Sequence, residues 1–272
     1  MSIRLEDLYQ SVPAMFATSP MQGVSKNYSF IPTHEIVQEF LDRGWEIRTA
    51  KQKTARNPDR QATKKHYIIL QNPSMKVNVN GEELAPEAIL INAHDRTAAY
   101  RIKLGIIRFL CWNGLVASKA SFADYRFTHS NIKESALDNF HEYFAAKVPD
   151  IIESVRSWAD VMLNRDDADH FIEEALTLRF PIARTVNFQD ISFVRRQEDN
   201  SSSLWHIYNR VQENLTLGGF RATNPDNNKT RTVRAIKDPD RNMRFNEDLW
   251  DLASRYYQEL TNNGTTKTKG TV

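Results

Sequence analysis

The stretch ILINAHDRTAAYRIKLGIIRFLCWNGLVAS, residues 89–118, threads Asn92, His94, Asp95, Arg108, Cys111, Asn113 and Gly114 through an otherwise apolar frame. A buried polar side chain without a partner costs about 1–3 kcal/mol, so each of these residues either cross-links a core or belongs to a site. EAILINAHD followed by TAAYRIKL predicts a pair of strands joined around Asp95 and Arg96. Residues 104–117 fit a strand or a helix, and the spacing of Ile107, Leu110 and Cys111 favours a buried helix.

Working outward, WEIRTAKQKT and KKHYIILQN have the β-branched and aromatic content of strands. The turn chemistry of Asn57-Pro58-Asp59 separates them, which predicts a long basic hairpin. MKVNVNGEEL adds an Asn80-Gly81 turn, Tyr28–Ile31 a brief strand and SFADYRFTH one more. HEIVQEFLDRG reads as a helix with Thr33 as N-cap and Gly44 as its stop, and RLEDLYQSVPAMF as a short docking helix interrupted by Pro13.

Beyond Ser130, a candidate N-cap, the period changes. Leu137, Phe140, Phe144, Val148, Ile152 and Val155 recur at helical spacing, with Pro149 expected to kink or break the helix. DADHFIEEALTLRF, LWHIYNRVQENLTLGG ending at Gly218-Gly219, and FNEDLWDLASRYYQEL follow as helices. The expected fold is α+β: an N-terminal antiparallel sheet with packed helices over residues 1–130, a helical C-terminal half over 131–262, and a disordered tail over 263–272.

At 272 residues, 40% hydrophobic and 26% charged, the chain can bury a substantial core. It has no run near the roughly 18–20 apolar residues a bilayer span requires, and MSIRLEDLYQ lacks the apolar region of a secretory signal. The expected setting is the cytoplasm, with no membrane partner. The single cysteine, Cys111, excludes an intrachain disulfide and a Cys-rich zinc site, and reads as a small buried apolar residue. Net charge is only +2 but unevenly spread: residues 51–76 carry +6, residues 221–244 carry +4 and residues 134–174 carry −8.

His66, His94, Asp95, Asp124 and His129 fall in the expected sheet region without metal-ligand spacing, so neither a metal nor another cofactor is expected. There is no G-x-S-x-G elbow, phosphate loop or G-x-G-x-x-G fingerprint, and no catalytic residue is assigned. Successive Gln212, Glu213 and Asn214 point in different directions on a helix, and Glu213 and Asn214 are expected to anchor the following RTVRAI segment. Trp205, Tyr208 and Trp250 read as core, and Gly218-Gly219 as a helix cap.

The stronger functional lead is charge beside aromatics. Lys51, Lys53, Arg56, Arg60, Lys64 and Lys65, with Trp45 and Tyr67, make a basic hairpin suited to tracking a phosphate backbone while bases lie on rings. Arg231 and Arg234 lie in the second basic segment. The alternative is a solvated edge hairpin whose charges prevent strand-to-strand aggregation.

Taken together, SVPAMFA (11–17), SKNYSFIPT (25–33), KKHYIIL (64–70), ILINAHD (89–95), RFLCWNGLV (108–116), LWHIYNRVQENLTLGG (204–219), RTVRAI (231–236) and FNEDLW (245–250) carry a resemblance. The chain resembles the phage/plasmid-like proteins of the domain of unknown function 932 family, which implies a setting in prophages, plasmids or integrative elements. That family usually has Gly after its His-Asp pair, where Arg96 stands here. If the Gly takes a positive φ, Arg96 is strained or the turn differs.

Three functions compete. The first is a non-catalytic protein that binds nucleic acid, with single-stranded DNA as its expected partner, used in replication or recombination. Its order of elements is similar to that of single-strand-annealing recombinases, which assemble as homo-oligomers, an analogy of fold alone. The second is a counter-defence protein that presents its acidic segment to a host protein. The third is a metal-dependent nuclease built around His94 and Asp95.

Overall fold

The computed structural model describes residues 3–23, 30–55, 57–79, 81–108, 125–126 and 134–267. Arg56, Asn80, Cys111, Asn113, Gly114, Asp124, His129 and Ser130 lie outside the described residues, as do residues 28–29 of the expected Tyr28–Ile31 strand, whose other two residues, Phe30 and Ile31, are not in a strand.

The N-terminal half is an antiparallel sheet, β1 (Glu46–Gln52), β2 (His66–Gln71), β3 (Val77–Val79), β4 (Glu82–Asn92), β5 (Arg101–Arg108) and β6 (Tyr125–Arg126). The strand order is β1-β2-β4-β5-β6, with β3 pairing β4 beyond the end of β2. Except for Glu83, every residue of β4 is buried. A strand buried on both faces has no need of polar alternation, which is why AILI, residues 88–91, reads as a continuous apolar run. Pro86 sits where β4 passes from the β2 pair Gln71↔Glu87 to the β3 pair Val77↔Leu84, a position with no partner among the described residues on that side of the ladder.

Two readings of this half are corrected. Residues 104–108 belong to strand β5 rather than a buried helix, because apolar residues paired along β4 carry no diagnostic period. Helix α1 (Thr33–Asp42) begins after Pro32, and the Thr33 side chain does not cap it, because its hydroxyl is taken up by the sheet. Gly44 does stop α1, at φ +82°. Ile36, Val37 and Phe40 of α1 are buried, and Phe40 meets Phe140 at 5.7 Å while Trp45 meets Phe144 edge-on at 5.0 Å. These aromatic contacts tie the first half of α2 (Glu134–Asp160) to the sheet.

Two units divide the chain, residues 1–115 with 122–149 and residues 116–121 with 150–272. The division falls inside α2 directly after Pro149, which the helix passes through without ending, so the expected break does not occur. The second unit holds the rest of α2 with α3 (Arg165–Arg179), α4 (Phe188–Ile191), α5 (Leu204–Leu217) and α6 (Pro239–Lys267). Helix α6 thus runs into the stretch expected as tail, and residues 268–272 lie outside the described residues.

Its core is a buried aromatic cluster in which Trp158 lies 4.4 Å from Trp250 and 5.6 Å from Tyr208. Trp205 stacks on Tyr208 at 5.9 Å. A three-stranded sheet, β7 (Thr185–Val186), β8 (Arg221–Asn224) and β9 (Lys229–Thr232), adds strands to the half expected to be helical. No helix among the described residues is long and apolar enough to cross a membrane.

Helix α5 distributes its polar triplet as helical geometry requires. Gln212 donates to Asn246 of α6 at 2.7 Å, Glu213 pairs with Arg196 at 2.8 Å, and Asn214 bonds Arg195 and the Ile191 and Phe193 carbonyls. Glu213 and Asn214 therefore anchor the preceding 191–196 segment, not RTVRAI. Arg179 performs that second task, donating to the Leu215 and Arg234 carbonyls at 3.1 and 2.9 Å, because it sits at the end of α3 beside the returning chain.

Candidate functional site

Of the polar residues of the opening motif, Asn92, His94 and Asp95 lie together at one end of the large sheet, whereas Arg108 pairs with Leu84 at the far end of β5. His66 Nδ1 lies 2.9 Å from the Lys64 carbonyl, which can only accept, so Nδ1 carries the proton. Nε2 must then accept from the Thr33 hydroxyl at 2.8 Å, and Thr33 in turn accepts from Asn92 Nδ2 at 3.0 Å. Asn92 also donates to the Ile31 carbonyl, and its own oxygen takes the Ala93 N–H. The chain of bonds has one direction and a neutral imidazole. Burial pushes His66 down to about 4, against the pull of the Lys64 carbonyl.

His94 lies buried between Phe30, at 4.7 Å, and His66, at 5.3 Å. Burial lowers it to about 4 as well, opposed by the Ala14 carbonyl and Asp95. Asp95 receives Lys64 Nζ at 2.9 Å on one oxygen and Thr97 on the other. Burial pushes its carboxyl up, but those bonds more than offset it and hold it below the usual carboxylate range. Both nitrogens of His66 and both oxygens of Asp95 are engaged, so these two residues cross-link the sheet end, whereas neither buried ring nitrogen of His94 has a hydrogen-bond partner among the described residues. Among the described residues, no group of three or more His, Cys, Asp or Glu side chains could hold a metal ion. Arg96 takes φ +65°, the conformation its place in the motif implied.

Deeper in the sheet, a bulge between Ile47 and Thr49 leaves Arg48 without a register partner. Its guanidinium reaches the fully buried Glu87, whose carboxyl burial raises to about 7 despite Arg48. Gly105 is the residue opposite Glu87 on β5.

The expected nucleic-acid residues separate into groups. Trp45 and Tyr67 are buried at 2% and 4% exposure, Trp45 against Phe40 and Phe144, so neither ring can receive a base. Lys64 is committed to Asp95, and Lys65 lies over the Tyr67 ring at 5.4 Å. Lys53 is half-buried and its backbone N–H is bonded to the Lys65 carbonyl. Lys51 and Arg60 are exposed, as are Arg231 and Arg234 in the second unit.

The second unit gathers charge more tightly. NPDNN, residues 224–228, folds into a turn in which Asn224 accepts the Asp226 N–H, Asn227 accepts the Lys229 N–H and Asn228 takes φ +53°. The turn joins β8 to β9 with Thr223 and Thr230 hydroxyls 2.8 Å apart. Lys229 and Arg231, two residues apart on a strand, share a face. With Arg184, beside β7, they line a groove of about 210 Å³ together with Asn224, Asn227 and Ala222, and among the described residues no carboxylate lines it. Sequence reading missed Arg184 and Lys229 as members of this site. The signal was the Asn-Pro-Asp-Asn-Asn turn between RAT and KTRT, which marks a hairpin.

The family described as Domain of unknown function (DUF932) matches over residues 20–250, and the chain belongs to it. The chain is similar to UPF0380 protein YafZ of Escherichia coli (strain K12), 30% identical over 258 residues that cover 94% of this chain and 92% of the relative. It is also similar to UPF0380 protein YfjQ of the same organism, 31% identical over 261 residues with the same coverage. No solved structure matches the chain.

Proposed function

We propose that the protein is a non-catalytic, cytoplasmic nucleic-acid-binding protein of a mobile element, whose β8–β9 ribbon lies along a single-stranded phosphate backbone. The observation that carries this reading is the convergence of Arg184, Lys229 and Arg231 on one groove that no carboxylate among the described residues lines. Charges that merely protect edge strand β9 would not require Arg184 to converge on the same groove from beside β7. Phosphate oxygens are natural ligands for guanidinium groups, and the amides of Asn224 and Asn227 add neutral donors. Arg221 and Arg234, exposed like Lys229 and Arg231, extend the basic surface. The likeness to phage/plasmid-like proteins supports a role in replication, recombination or maintenance.

The test is fluorescence anisotropy with a labelled single strand, comparing the parent with Arg184→Glu, Lys229→Glu and Arg231→Glu combined. Lys229 and Arg231 are exposed and Arg184 is half-buried beside a ribbon whose buried Val186 and Ala222 are kept, so folding should persist and circular dichroism checks it. Loss of binding in the folded variant is expected. Undiminished binding would remove the ribbon from the function.

A further inference from the structure

With Trp45 and Tyr67 buried, any base must find another ring. The first unit contains one at a groove of about 800 Å³, between the segment Tyr9–Gln22 and the connection from β1 to β2. That size is within the roughly 300–1,000 Å³ usual for small-molecule sites. Tyr9 lines it with 66% of its surface exposed. The ring is held in place: it meets Phe16 at 5.2 Å, and Phe16 stacks on His34 at 6.0 Å and 22°. An exposed aromatic backed by two further rings is a pre-organised platform, since little side-chain freedom is left to lose when a flat ligand settles on it.

The opposite wall is the short 3-10 turn Pro58–Thr63, which Asn57 caps by accepting the Asp59 N–H at 3.0 Å. This bond uses the Asn57 oxygen and leaves its amide hydrogens to donate elsewhere, and Asp59 also lines the groove. Together they supply donor and acceptor for the edge of a base. Arg60, exposed on the same wall, supplies the cation for a phosphate, while Asp59 repels a phosphate from the part of the wall that would meet the base.

We infer that this groove takes one unstacked base of a single-stranded nucleic acid, seated on Tyr9 with the adjoining phosphate at Arg60. The inference rests on the nucleic-acid reading above and names how the first unit takes part in it. Bases of any identity present a π-face, so the contact carries little sequence preference.

The experiment compares an oligothymidylate with an abasic deoxyribose-phosphate strand of the same length, for the parent, Tyr9→Ala and Tyr9→Phe. The parent is expected to bind the base-containing strand about tenfold more tightly, the worth of one base on an aromatic ring. Tyr9→Ala should remove that preference and leave abasic binding unchanged, and Tyr9→Phe should keep it. Equal parent affinity for the two strands, or a Tyr9→Ala loss of the same size on both, overturns the inference and leaves the phosphate-binding ribbon standing. A parent that binds neither strand overturns the function itself and this site with it.

Discussion

The Thr33 hydroxyl donates to His66 Nε2 across 2.8 Å, joining the first turn of α1 to the second strand of the sheet. The same oxygen accepts from Asn92 on β4, so one side chain holds a helix to two strands. Thr33→Val keeps the shape and removes both bonds, leaving a buried imidazole nitrogen and an amide donor short of a partner. A loss of about 1–3 kcal/mol in urea unfolding is expected. A loss of only a few tenths would show the network to be incidental.

The two buried imidazoles set a pH dependence whose sign follows from linkage. His66 and His94 fall from 6.5 in the unfolded chain to about 4 when folded. Their contribution is therefore complete above pH 6.5 and drains away as pH falls toward 4. Glu87 acts in the opposite sense, because a carboxyl raised from 4.5 to about 7 stabilises most below pH 4.5 and loses that effect as pH rises to 7. Between pH 4.5 and 6.5 the trends oppose each other. In Glu87→Gln the melting temperature should rise more steeply over that window than in the parent, and the two proteins should converge near pH 4.5. Parallel curves would show that Glu87 does not titrate there.

Arg96 at φ +65° occupies a conformation that costs a side-chain-bearing residue about 1–2 kcal/mol, partly offset by the greater freedom glycine loses on folding. Arg96→Gly should raise stability by about 0.5–1 kcal/mol without disturbing the Asp95 bonds to Lys64 and Thr97. A destabilised variant would mean that the Arg96 side chain supplies a contact worth more than the strain.

Two glycines separate backbone strain from collision. Gly44 has φ +82° and open space where a methyl group would project, so Gly44→Ala should cost about 1 kcal/mol. Gly218 has φ +68°, and a Cβ there would lie 2.5 Å from the Val233 carbonyl oxygen, so the backbone must shift as well. Gly218→Ala should cost at least about 2 kcal/mol and loosen the segment after β9. Equal losses in the two variants, measured by urea unfolding, would count against the close approach at Gly218.

Much of the fold was legible because the hairpins carry local chemistry: Asn57-Pro58-Asp59 turns where expected, and Gly44 and Gly218 end their helices. The helix favoured over residues 104–117 gives way to strand at residues 104–108, since LGII has no period to separate strand from helix, and residues 109–117 lie outside the described residues. The site was less legible. Burial of Trp45 and Tyr67 depends on Phe40, Phe140 and Phe144, residues far apart in the chain, and composition alone cannot report which rings are covered. Arg184 and Arg231 line one groove only because β7 and β9 flank β8, a pairing between segments some 40 residues apart that local pattern does not encode. His66 and His94 were visible as candidates, but the saturation of His66 by Thr33 and Lys64, and the burial of His94 with neither ring nitrogen hydrogen-bonded among the described residues, arise from packing that local pattern does not encode.

The salt dependence of binding tests the central claim most directly. Each phosphate neutralised on a single strand contributes about −0.7 to the slope of log K against log salt concentration. Removing Arg184, Lys229 and Arg231 together, each to Ala, should make the slope for a labelled single strand shallower by about 2 units while the protein stays folded. An identical slope in parent and variant, or binding that does not respond to salt, would contradict the account.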